Sequence, residues 1–255
     1  MKLLAITGAS GRIGTALRPL LRQHYRLRLL DVREPGDVLD SGEAFQQVDV
    51  TALAAVEAAF EGVDAVLHLA GQPSPNANWN SVLKDNIDAT RSVFEAARRR
   101  GVGKIVFAST NHVMGFHNLE QAWPIDERAP IRPDSLYGVS KAFGEALARY
   151  YCDAFGIPII CLRIGWFTSH QPTMASLNPL WISARDLAQV VQLSIETSRR
   201  FGIYNATSNN AQAHWDLSSA RHELGYAPLD DVSATATAEN PSAYVDPRAG
   251  VLVDR

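Results

Sequence analysis

The chain has 255 residues, of which 46% are hydrophobic and 20% charged, and its formal net charge is −3. This length suffices for one large α/β domain, and the composition is ordinary for a globular protein. The small charge gives no reason to expect nucleic acid or a membrane as partner, and no apolar run is long enough to predict a transmembrane helix. Cys152 and Cys161 lack metal-ligand spacing, so we expect two buried thiols, no metal site and a cytoplasmic location.

A strand, a glycine-rich turn and a helix open the chain. An apolar run at residues 3–6 is followed by three glycines in a G-x-x-G-x-x-G spacing and then by leucines at helical intervals. Glycines in this context let the backbone approach a pyrophosphate, whose charge meets the amide groups at the helix start. The residues predicted to bind a dinucleotide in this turn are Gly8, Ser10, Gly11, Arg12, Ile13 and Gly14.

An acidic residue ends the second predicted strand. Residues 26–30 lead into Asp31, which lies 17 residues beyond Gly14. A carboxylate at this place can accept hydrogen bonds from both hydroxyls of the adenosine ribose, and it would repel a 2′-phosphate. The sequence therefore predicts NAD rather than NADP, although the nearby Arg12 and Arg33 leave the strictness of that preference open. A solvated carboxylate at a strand end is the structural alternative.

Two further strands are predicted before the first long helix. Residues 45–48 end in Asp49 and Val50, and Thr51 is predicted to be the N-cap of a helix that reaches residue 60. Residues 64–69 form a buried strand in which His68 is predicted to be a core residue rather than a ligand. Cofactor contacts are predicted at Asp49, Val50, Leu69, Ala70 and Gly71.

The loop at residues 72–78 follows that strand at the carboxyl edge of the sheet, where open α/β folds bind ligands. A helix over residues 79–100 comes next, and Asn86 within it is predicted either to bridge to backbone beside the site or to be exposed. The strand at 104–108 runs into a polar stretch, and a loop is predicted over 113–134. The polar residues after the strand, which suit a polyhydroxylated substrate or local turn bonds, are Ser109, Thr110, Asn111 and His112.

Tyr137 and Lys141 are four residues apart on a predicted helix over 136–155, so their side chains share one face. An ammonium group near a phenol favours the phenolate and lowers the pKa of the tyrosine from its usual value of about 10. The pair is therefore a candidate general base. Because this spacing also arises by chance, an exposed amphipathic helix is the alternative.

The rest of the chain predicts a doubly wound parallel α/β sheet of Rossmann type with a small C-terminal substrate-binding portion. A strand at 157–164 precedes an irregular segment, which is followed by a helix capped by Ser183, a strand at 202–206 and a short helix. We predict an NAD-binding part at 1–164 that carries the Tyr/Lys helix, a substrate-binding portion at 165–230 and an irregular tail at 231–255.

Taken in chain order, these motifs resemble the extended short-chain dehydrogenase/reductases, also called the NAD-dependent epimerase/dehydratase superfamily. The resemblance covers roughly residues 1–230 and is strongest to uronate dehydrogenases and to NAD-dependent aldose and glucose-6-phosphate dehydrogenases. The segments that carry the closer resemblance are Ile105–His112, Leu136–Lys141, Arg163–Gly165 and Trp181–Ser183.

This resemblance implies an NAD-dependent oxidoreductase that oxidises the anomeric hydroxyl of a sugar to an aldonolactone. The implied catalytic residues are Thr110, Tyr137 and Lys141, of which Tyr137 and Lys141 also contact the cofactor together with Asn86 and Ile164. The implied substrate contacts are Gln72, Pro73, Ser109, Thr110, Asn111, His112 and Tyr137. The resemblance further suggests a homodimer formed through the helices at 79–100 and 136–155.

One departure from the uronate enzymes concerns the substrate carboxylate. Those enzymes carry an arginine five residues before the Trp-x-Ser segment, where this chain has Ser176, and residues 173–180 contain no basic side chain. A buried carboxylate without a cation is costly, so a neutral aldose or a sugar phosphate is also open as substrate. The residues considered as replacements are Arg185, His170 and Lys84.

Two other functions are compatible with parts of the sequence. A nucleotide-sugar epimerase or dehydratase resembles the chain as far as Lys141, but such enzymes usually have a larger C-terminal region and the 4,6-dehydratases have an Asp-Glu pair where Asn111 and His112 stand here. A non-catalytic NAD-binding sensor would need the glycine turn but not Thr110, Tyr137 and Lys141 together.

Overall fold

A computed structural model describes residues 1–168 and 175–232, with the side chains of residues 175 and 176 left undescribed. Its strands, in chain order, are β1 (Leu3–Thr7), β2 (Arg26–Asp31), β3 (Glu43–Gln47), β4 (Ala65–His68), β5 (Lys104–Thr110), β6 (Ile159–Ile164), β7 (Trp166–Phe167), β8 (Trp181–Ile182) and β9 (Phe201–Ala206). Seven of them form a parallel sheet in the order β3-β2-β1-β4-β5-β6-β9, and β7 pairs with β8. The predicted doubly wound α/β fold is confirmed.

Helices cover both faces of the sheet. The α-helices are α1 (Arg12–Leu21), α2 (Leu53–Ala59), α3 (Trp79–Val82), α4 (Ala89–Arg100), α5 (Gly115–Leu119), α6 (Leu136–Phe155), α7 (Ala184–Glu196) and α8 (Ser218–Leu224). A π-helical turn at Leu83–Asp88 joins α3 to α4, and 3₁₀ turns lie at Asn111–Met114 and Ala175–Leu180. The prediction that Ser183 caps a helix is confirmed, because its hydroxyl accepts a hydrogen bond from the Asp186 amide.

Three local predictions are wrong. The helix predicted over 79–100 is not regular throughout, since its middle is the π-helical turn. The loop predicted over 113–134 contains α5 and the end of a 3₁₀ turn. Thr51 is not the N-cap of α2: the helix begins two residues later, and the Thr51 hydroxyl instead donates to Asp49 Oδ1 at 2.7 Å, which stabilises the turn after β3.

Two hydrophobic cores lie on opposite faces of the sheet. Alternate residues of a strand point to opposite faces, and accordingly Leu4 and Ile6 join the core beneath α1, α7 and α8, whereas Ala5 joins the core beneath α2, α4 and α6. The central strands β4, β5 and β6 are buried on both faces, as parallel sheets require, whereas the edge strand β3 is largely exposed. Strand β9 comes from the C-terminal part of the chain and completes the sheet beside β6.

Helix α6 packs unusually close to β5. A Cβ atom on Gly144 would lie 2.3 Å from Cζ of the fully buried Phe107, so glycine is the residue that allows the approach. Within the described residues no helix is long and apolar enough to cross a membrane. The two cysteines are free and buried, as predicted.

Gly144→Ala should lower the free energy of unfolding by about 1–3 kcal/mol, because the added methyl group would overlap the Phe107 ring. Alanine ordinarily stabilises a helix relative to glycine by roughly 0.5–1 kcal/mol, so the expected sign is opposite to the helix propensity. Urea denaturation measures the change. Gly36→Ala is the control, since its Cβ meets nothing within 4 Å; a stabilised Gly144→Ala variant would contradict the close packing.

Candidate active site

A cavity of about 560 Å³ lies at the carboxyl edge of the sheet and includes the point between β1 and β4 where the strand order reverses. The predicted site residues that line it are Gly8, Gly11, Arg12, Ile13, Gly14, Asp31, Asp49, Val50, Leu69, Ala70, Gly71, Gln72, Pro73, Ser109, Thr110, Asn111, His112, Tyr137, Lys141 and Ile164. Ser10 and Asn86 are predicted site residues that do not line it. Arg33, which the sequence analysis named as a neighbour of Asp31, also lines it. The sequence interpretation missed Val32, Val48, Thr51, Pro75, Asp85, Ala108, Gly165, Trp166 and Phe167.

The glycine turn brings the backbone of β1 close to the loop after β4. Gly8 has a φ of +70°, and a Cβ there would lie 2.7 Å from the amide nitrogen of Ala70. Gly14 lies against Ala9, where a Cβ would be 2.5 Å from the carbonyl oxygen. Because Gly8 and Gly14 have no side chains, the backbone can pack this closely, and both residues line the cavity. Such a cradle fits the pyrophosphate of a dinucleotide, which meets the amide groups at the helix start.

Asp31 is fixed beside this turn by backbone amides. Its Oδ2 accepts a hydrogen bond from the Ser10 amide at 3.0 Å, and its Oδ1 accepts one from the Arg33 amide at 3.1 Å. The Ser10 hydroxyl in turn donates to the Arg33 carbonyl at 2.7 Å. A carboxylate has about four acceptor positions, so the oxygens of Asp31 keep acceptor capacity for ribose hydroxyls. Ser10 thus supports the dinucleotide cradle from outside the cavity.

Asn86 fixes the loop after β4 through hydrogen bonds of its side-chain amide. Its Oδ1 accepts a hydrogen bond from the Gln72 amide at 2.7 Å, and its Nδ2 donates to the Gln72 carbonyl at 3.2 Å and to Ser140 Oγ at 2.7 Å. The predicted bridge to backbone is therefore confirmed, whereas an exposed Asn86 is excluded by its burial. Asn86 ties the cavity wall at Gln72 to helix α6, which carries Tyr137 and Lys141.

Helix α6 and the end of β5 bring Thr110, Tyr137 and Lys141 to the same cavity. Ser135 caps the helix, accepting a hydrogen bond from the Gly138 amide at 3.1 Å. Lys141 Nζ lies 5.9 Å from the centroid of the Tyr137 ring and 4.9 Å from that of Phe107. Thr110 is buried at the end of β5, where its hydroxyl donates to Asn111 Oδ1 and accepts from the His112 amide, both at 3.3 Å.

The electrostatics of this pair differ from the sequence prediction. Desolvation by the surrounding protein raises the pKa of Tyr137 to about 12, although the hydrogen bond with Thr110 lowers it in part. Lys141 is only 4% exposed, and burial lowers its pKa to about 8. The prediction that Lys141 brings the pKa of Tyr137 below its usual value is therefore wrong. Desolvation disfavours the phenolate and raises this pKa, and the Lys141 ammonium does not offset that effect.

His68 is a core residue, as predicted. Its Nδ1 lies 2.7 Å from Thr7 Oγ1 and its Nε2 lies 3.3 Å from Thr90 Oγ1. Burial, assisted by the nearby charge of Lys141, lowers the pKa of His68 to about 3. His68 is therefore neutral at physiological pH. Its two ring nitrogens connect β4 to Thr7 of β1 and to Thr90 of α4.

Ser109 and His112 are each held by an acidic residue that the sequence interpretation did not identify. The Ser109 hydroxyl donates to Glu145 Oε1 at 2.6 Å, and Glu145 is paired with Arg163 through two hydrogen bonds of 2.8 Å. His112 Nδ1 lies 2.9 Å from both carboxylate oxygens of Asp134. No sequence pattern joins these partners, because 36 and 22 residues separate them.

Of the residues considered as replacements for the missing arginine, only two are described. The Arg185 guanidinium pairs with the Asp230 carboxylate and does not line the cavity. Lys84 is exposed and does not line the cavity either. His170 lies outside the described residues, as does the side chain of Ser176.

The fold and the cavity together define a dinucleotide-binding site of Rossmann type with a tyrosine, a lysine and a threonine beside it. Residues 4–201 match the NAD dependent epimerase/dehydratase family, and the chain belongs to this family. NAD is accordingly its cofactor, as the sequence predicted. The cradle at Gly8 and Gly14 and the carboxylate of Asp31 fit that group.

Three known proteins illustrate the similarity. The NAD-dependent glucose-6-phosphate dehydrogenase of Haloferax volcanii is 40% identical over 244 residues, which cover 89% of this chain and 92% of the relative. The L-arabinose 1-dehydrogenase (NAD(P)(+)) of the same organism is 35% identical over 257 residues, which cover 92% and 99%. A variant of uronate dehydrogenase from Agrobacterium tumefaciens, solved as a complex with NAD, is 32% identical with a TM-score of 0.82 and coverage of 95% and 92%.

Lys141→Met should raise the free energy of unfolding at pH 7, because folding buries the ammonium. The lysine pKa falls from its ordinary 10.5 to about 8 in the folded protein. Below about pH 8, Lys141 is charged in both states, and the full free-energy cost of burying the ammonium is present. Between about pH 8 and 10.5 the unfolded chain binds more protons than the folded protein, so the stability of the wild type rises with pH. Above that range the cost of burying the ammonium has disappeared. The gain at pH 7 is at most about 3 kcal/mol.

Urea denaturation at neutral pH and again above the folded-state pKa of Lys141 measures this gain, which should shrink at the higher pH. Lys84→Met is the matched control, since Lys84 is exposed and its replacement should change stability by less than about 0.5 kcal/mol. A Lys141→Met protein that is less stable than the wild type at pH 7 would contradict the expected cost.

Proposed function

We propose that this protein is an NAD-dependent sugar dehydrogenase that oxidises the C1 hydroxyl of an aldose or a uronate to the aldonolactone. The observation that carries the proposal is the convergence of Thr110, Tyr137 and Lys141 on the cavity that also contains the dinucleotide cradle. The similar proteins act on sugars by their names: glucose 6-phosphate, L-arabinose and uronate.

The cradle and its surroundings divide the cavity into two regions. The glycine turn and Asp31 would hold the pyrophosphate and the adenosine ribose, while Lys141 and Tyr137 lie toward the end of β5, where the nicotinamide ribose would bind. When bound, NAD supplies the acceptor for the hydride that leaves C1. The sugar would then lie among Gln72, Pro73, Asn111 and His112 and next to Tyr137.

In the proposed mechanism, the hydroxyl of Thr110 and the phenolate oxygen of Tyr137 hydrogen-bond to the C1 hydroxyl of the sugar. Tyr137 as phenolate accepts the proton of that hydroxyl, which makes it the general base. Its raised pKa means that the phenolate, once formed, is a strong base, and the buried ammonium of Lys141 provides the positive charge on the same face of α6. Thr110, which lines the same cavity at the end of β5, would orient the reacting oxygen through its own hydrogen bond with that hydroxyl.

The charge that the substrate can carry depends on the cations around the cavity. The described arginine and lysine residues that line the cavity are Arg12, Arg33 and Lys141; Arg33 lies beside Asp31, and Arg12 Nη1 donates to the Phe167 carbonyl oxygen at 3.4 Å. The sequence places no arginine or lysine at residues 173–180, where the uronate enzymes carry their carboxylate ligand. These features favour a neutral aldose over a uronate, because a buried carboxylate needs a cationic partner.

NADH formation with a panel of sugars tests the proposed function. The panel contains glucose, galactose, arabinose, xylose, galacturonate, glucuronate and glucose 6-phosphate, with UDP-glucose as a control. Signal with neutral aldoses alone is the expected result, and signal with uronate or the phosphate would keep the reaction but change the substrate. Turnover of UDP-glucose alone would favour a nucleotide-sugar enzyme. Silence with every compound, despite measurable NAD binding, would favour a sensor and refute the proposal.

Tyr137→Phe should reduce kcat by roughly 10²–10⁴, the usual contribution of a general base, with little change in the Kd for NAD. The ring remains, so its packing beside His112 is kept while the proton acceptor is lost. Steady-state kinetics and NAD titration measure the two quantities. Tyr150→Phe is the control, because Tyr150 is an exposed tyrosine of the same helix. Full activity of Tyr137→Phe would exclude Tyr137 as the base.

A further inference from the structure

His112 and Asp134 form a pair at the wall of the cavity. The Nδ1 atom of His112 lies 2.9 Å from each carboxylate oxygen of Asp134, which is 7% exposed. His112 is among the residues that line the cavity, and its ring centroid is 5.7 Å from that of Tyr137. The carboxylate thus approaches the histidine from behind, while the ring itself adjoins the reacting position of the proposed mechanism.

Several neighbours are shaped to hold this pair. A Cβ atom on Gly115 would lie 1.9 Å from Asp134 Oδ2, so only glycine leaves room for the carboxylate. A Cβ on Gly138 would lie 2.5 Å from the His112 carbonyl oxygen. The Ser135 hydroxyl donates to Asp134 Oδ1 at 2.9 Å, and the Asp134 amide donates to the His112 carbonyl at 3.3 Å. Both backbone and side chain therefore fix Asp134 relative to His112.

The chemistry of this contact determines where the proton of the imidazole lies. An ionised carboxylate only accepts hydrogen bonds, so the nitrogen that faces it must carry the hydrogen. In a neutral imidazole the other nitrogen, Nε2, is then an acceptor. Nε2 lies across the ring from Nδ1 and therefore away from Asp134, in a residue that lines the cavity.

We propose that Asp134 is a positioning residue that holds His112 in the Nδ1–H tautomer, so that Nε2 accepts a hydrogen bond from the sugar hydroxyl next to the reacting carbon. The inference rests on the proposed function for its ligand, and on the His112–Asp134 geometry for the tautomer. The hydroxyl at C2 is the one concerned, because the His112 ring is the neighbour of Tyr137, which meets the hydroxyl at C1. A site built to pair with a hydroxyl discriminates against analogues that lack it.

The tautomer can be measured without turnover, on the wild-type protein. Nitrogen NMR of the protein labelled at histidine, with His112→Gln to assign the signal, should show a protonated Nδ1 and an unprotonated Nε2 at His112. Asp134→Asn should move protonation toward Nε2, because the amide can donate to Nδ1 where the carboxylate cannot. A wild-type His112 protonated only at Nε2 would overturn the proposal whatever the substrate.

Kinetics test the contact with the sugar. With the best sugar of the panel, Asp134→Asn should lower kcat/KM by about 10–100-fold, mainly through KM, and should leave the Kd for NAD unchanged. With the 2-deoxy analogue, which the wild type should use less well, the same substitution should change kcat/KM by less than about threefold. Such a difference between two substrates is not expected of a residue that only supports the fold.

A control variant and two further outcomes distinguish a failure of this proposal from a failure of the proposed function. Asp126→Asn, at an exposed aspartate outside the cavity, should leave both substrates unaffected. Equal losses for the sugar and its 2-deoxy analogue in Asp134→Asn would overturn the hydroxyl contact even if the tautomer is as expected. A wild type that oxidises no sugar refutes the proposed function and the sugar contact together, and the NMR measurement then decides the tautomer by itself.

Discussion

The close packing of helix α6 against strand β5 is the constraint on which the candidate site depends. At Gly144 the helix approaches the Phe107 ring more closely than any side chain would allow. The next residue, Glu145, forms a buried pair with Arg163 of β6 and accepts a hydrogen bond from Ser109 at the end of β5. Removing one partner of such a pair typically costs about 3–5 kcal/mol, because the other charge is left buried. The helix is therefore held in one position relative to two strands, and Tyr137 and Lys141 are carried with it.

This rigidity has an electrostatic cost that falls on the reactive groups. The same burial that fixes Lys141 opposes its charge, and it opposes the phenolate of Tyr137 as well. The proposed mechanism uses the Tyr137 phenolate and the Lys141 ammonium, which are the charged forms that the protein interior disfavours. Functional sites commonly combine burial with charge in this way, and the remaining fold must supply the stability that the site does not. Here that stability comes from the two hydrophobic cores, one on each face of a sheet whose central strands are buried.

Much of the site could be predicted from sequence because a parallel sheet places the carboxyl ends of its strands at one edge. Gly8, Asp31 and Thr110 each follow or end a strand, and their meeting at the cavity follows from the order of the elements. Contacts between segments distant in sequence could not be predicted in this way. The partner of His112 is an aspartate in a loop, and the partner of Ser109 lies three turns along a helix; neither position has a periodic pattern that marks it. The direction of the Tyr137 pKa shift could not be predicted for a related reason. The spacing to Lys141 predicts that the two side chains are close but contains no information on their desolvation.

The π-helical turn at Leu83–Asp88 has a consequence for how this region tolerates change. A π turn is equivalent to one residue inserted into an α-helix, and such insertions often occur where a side chain must be presented at a particular angle. A π turn holds about one residue more than an α turn, so deleting one residue here would restore regular α-helical winding and leave the flanking helices in phase. Asn86 lies within this turn, so its side chain would shift relative to Gln72 and Ser140. In this part of the chain, an engineered or natural variant has to preserve the length of the segment as well as the identity of Asn86.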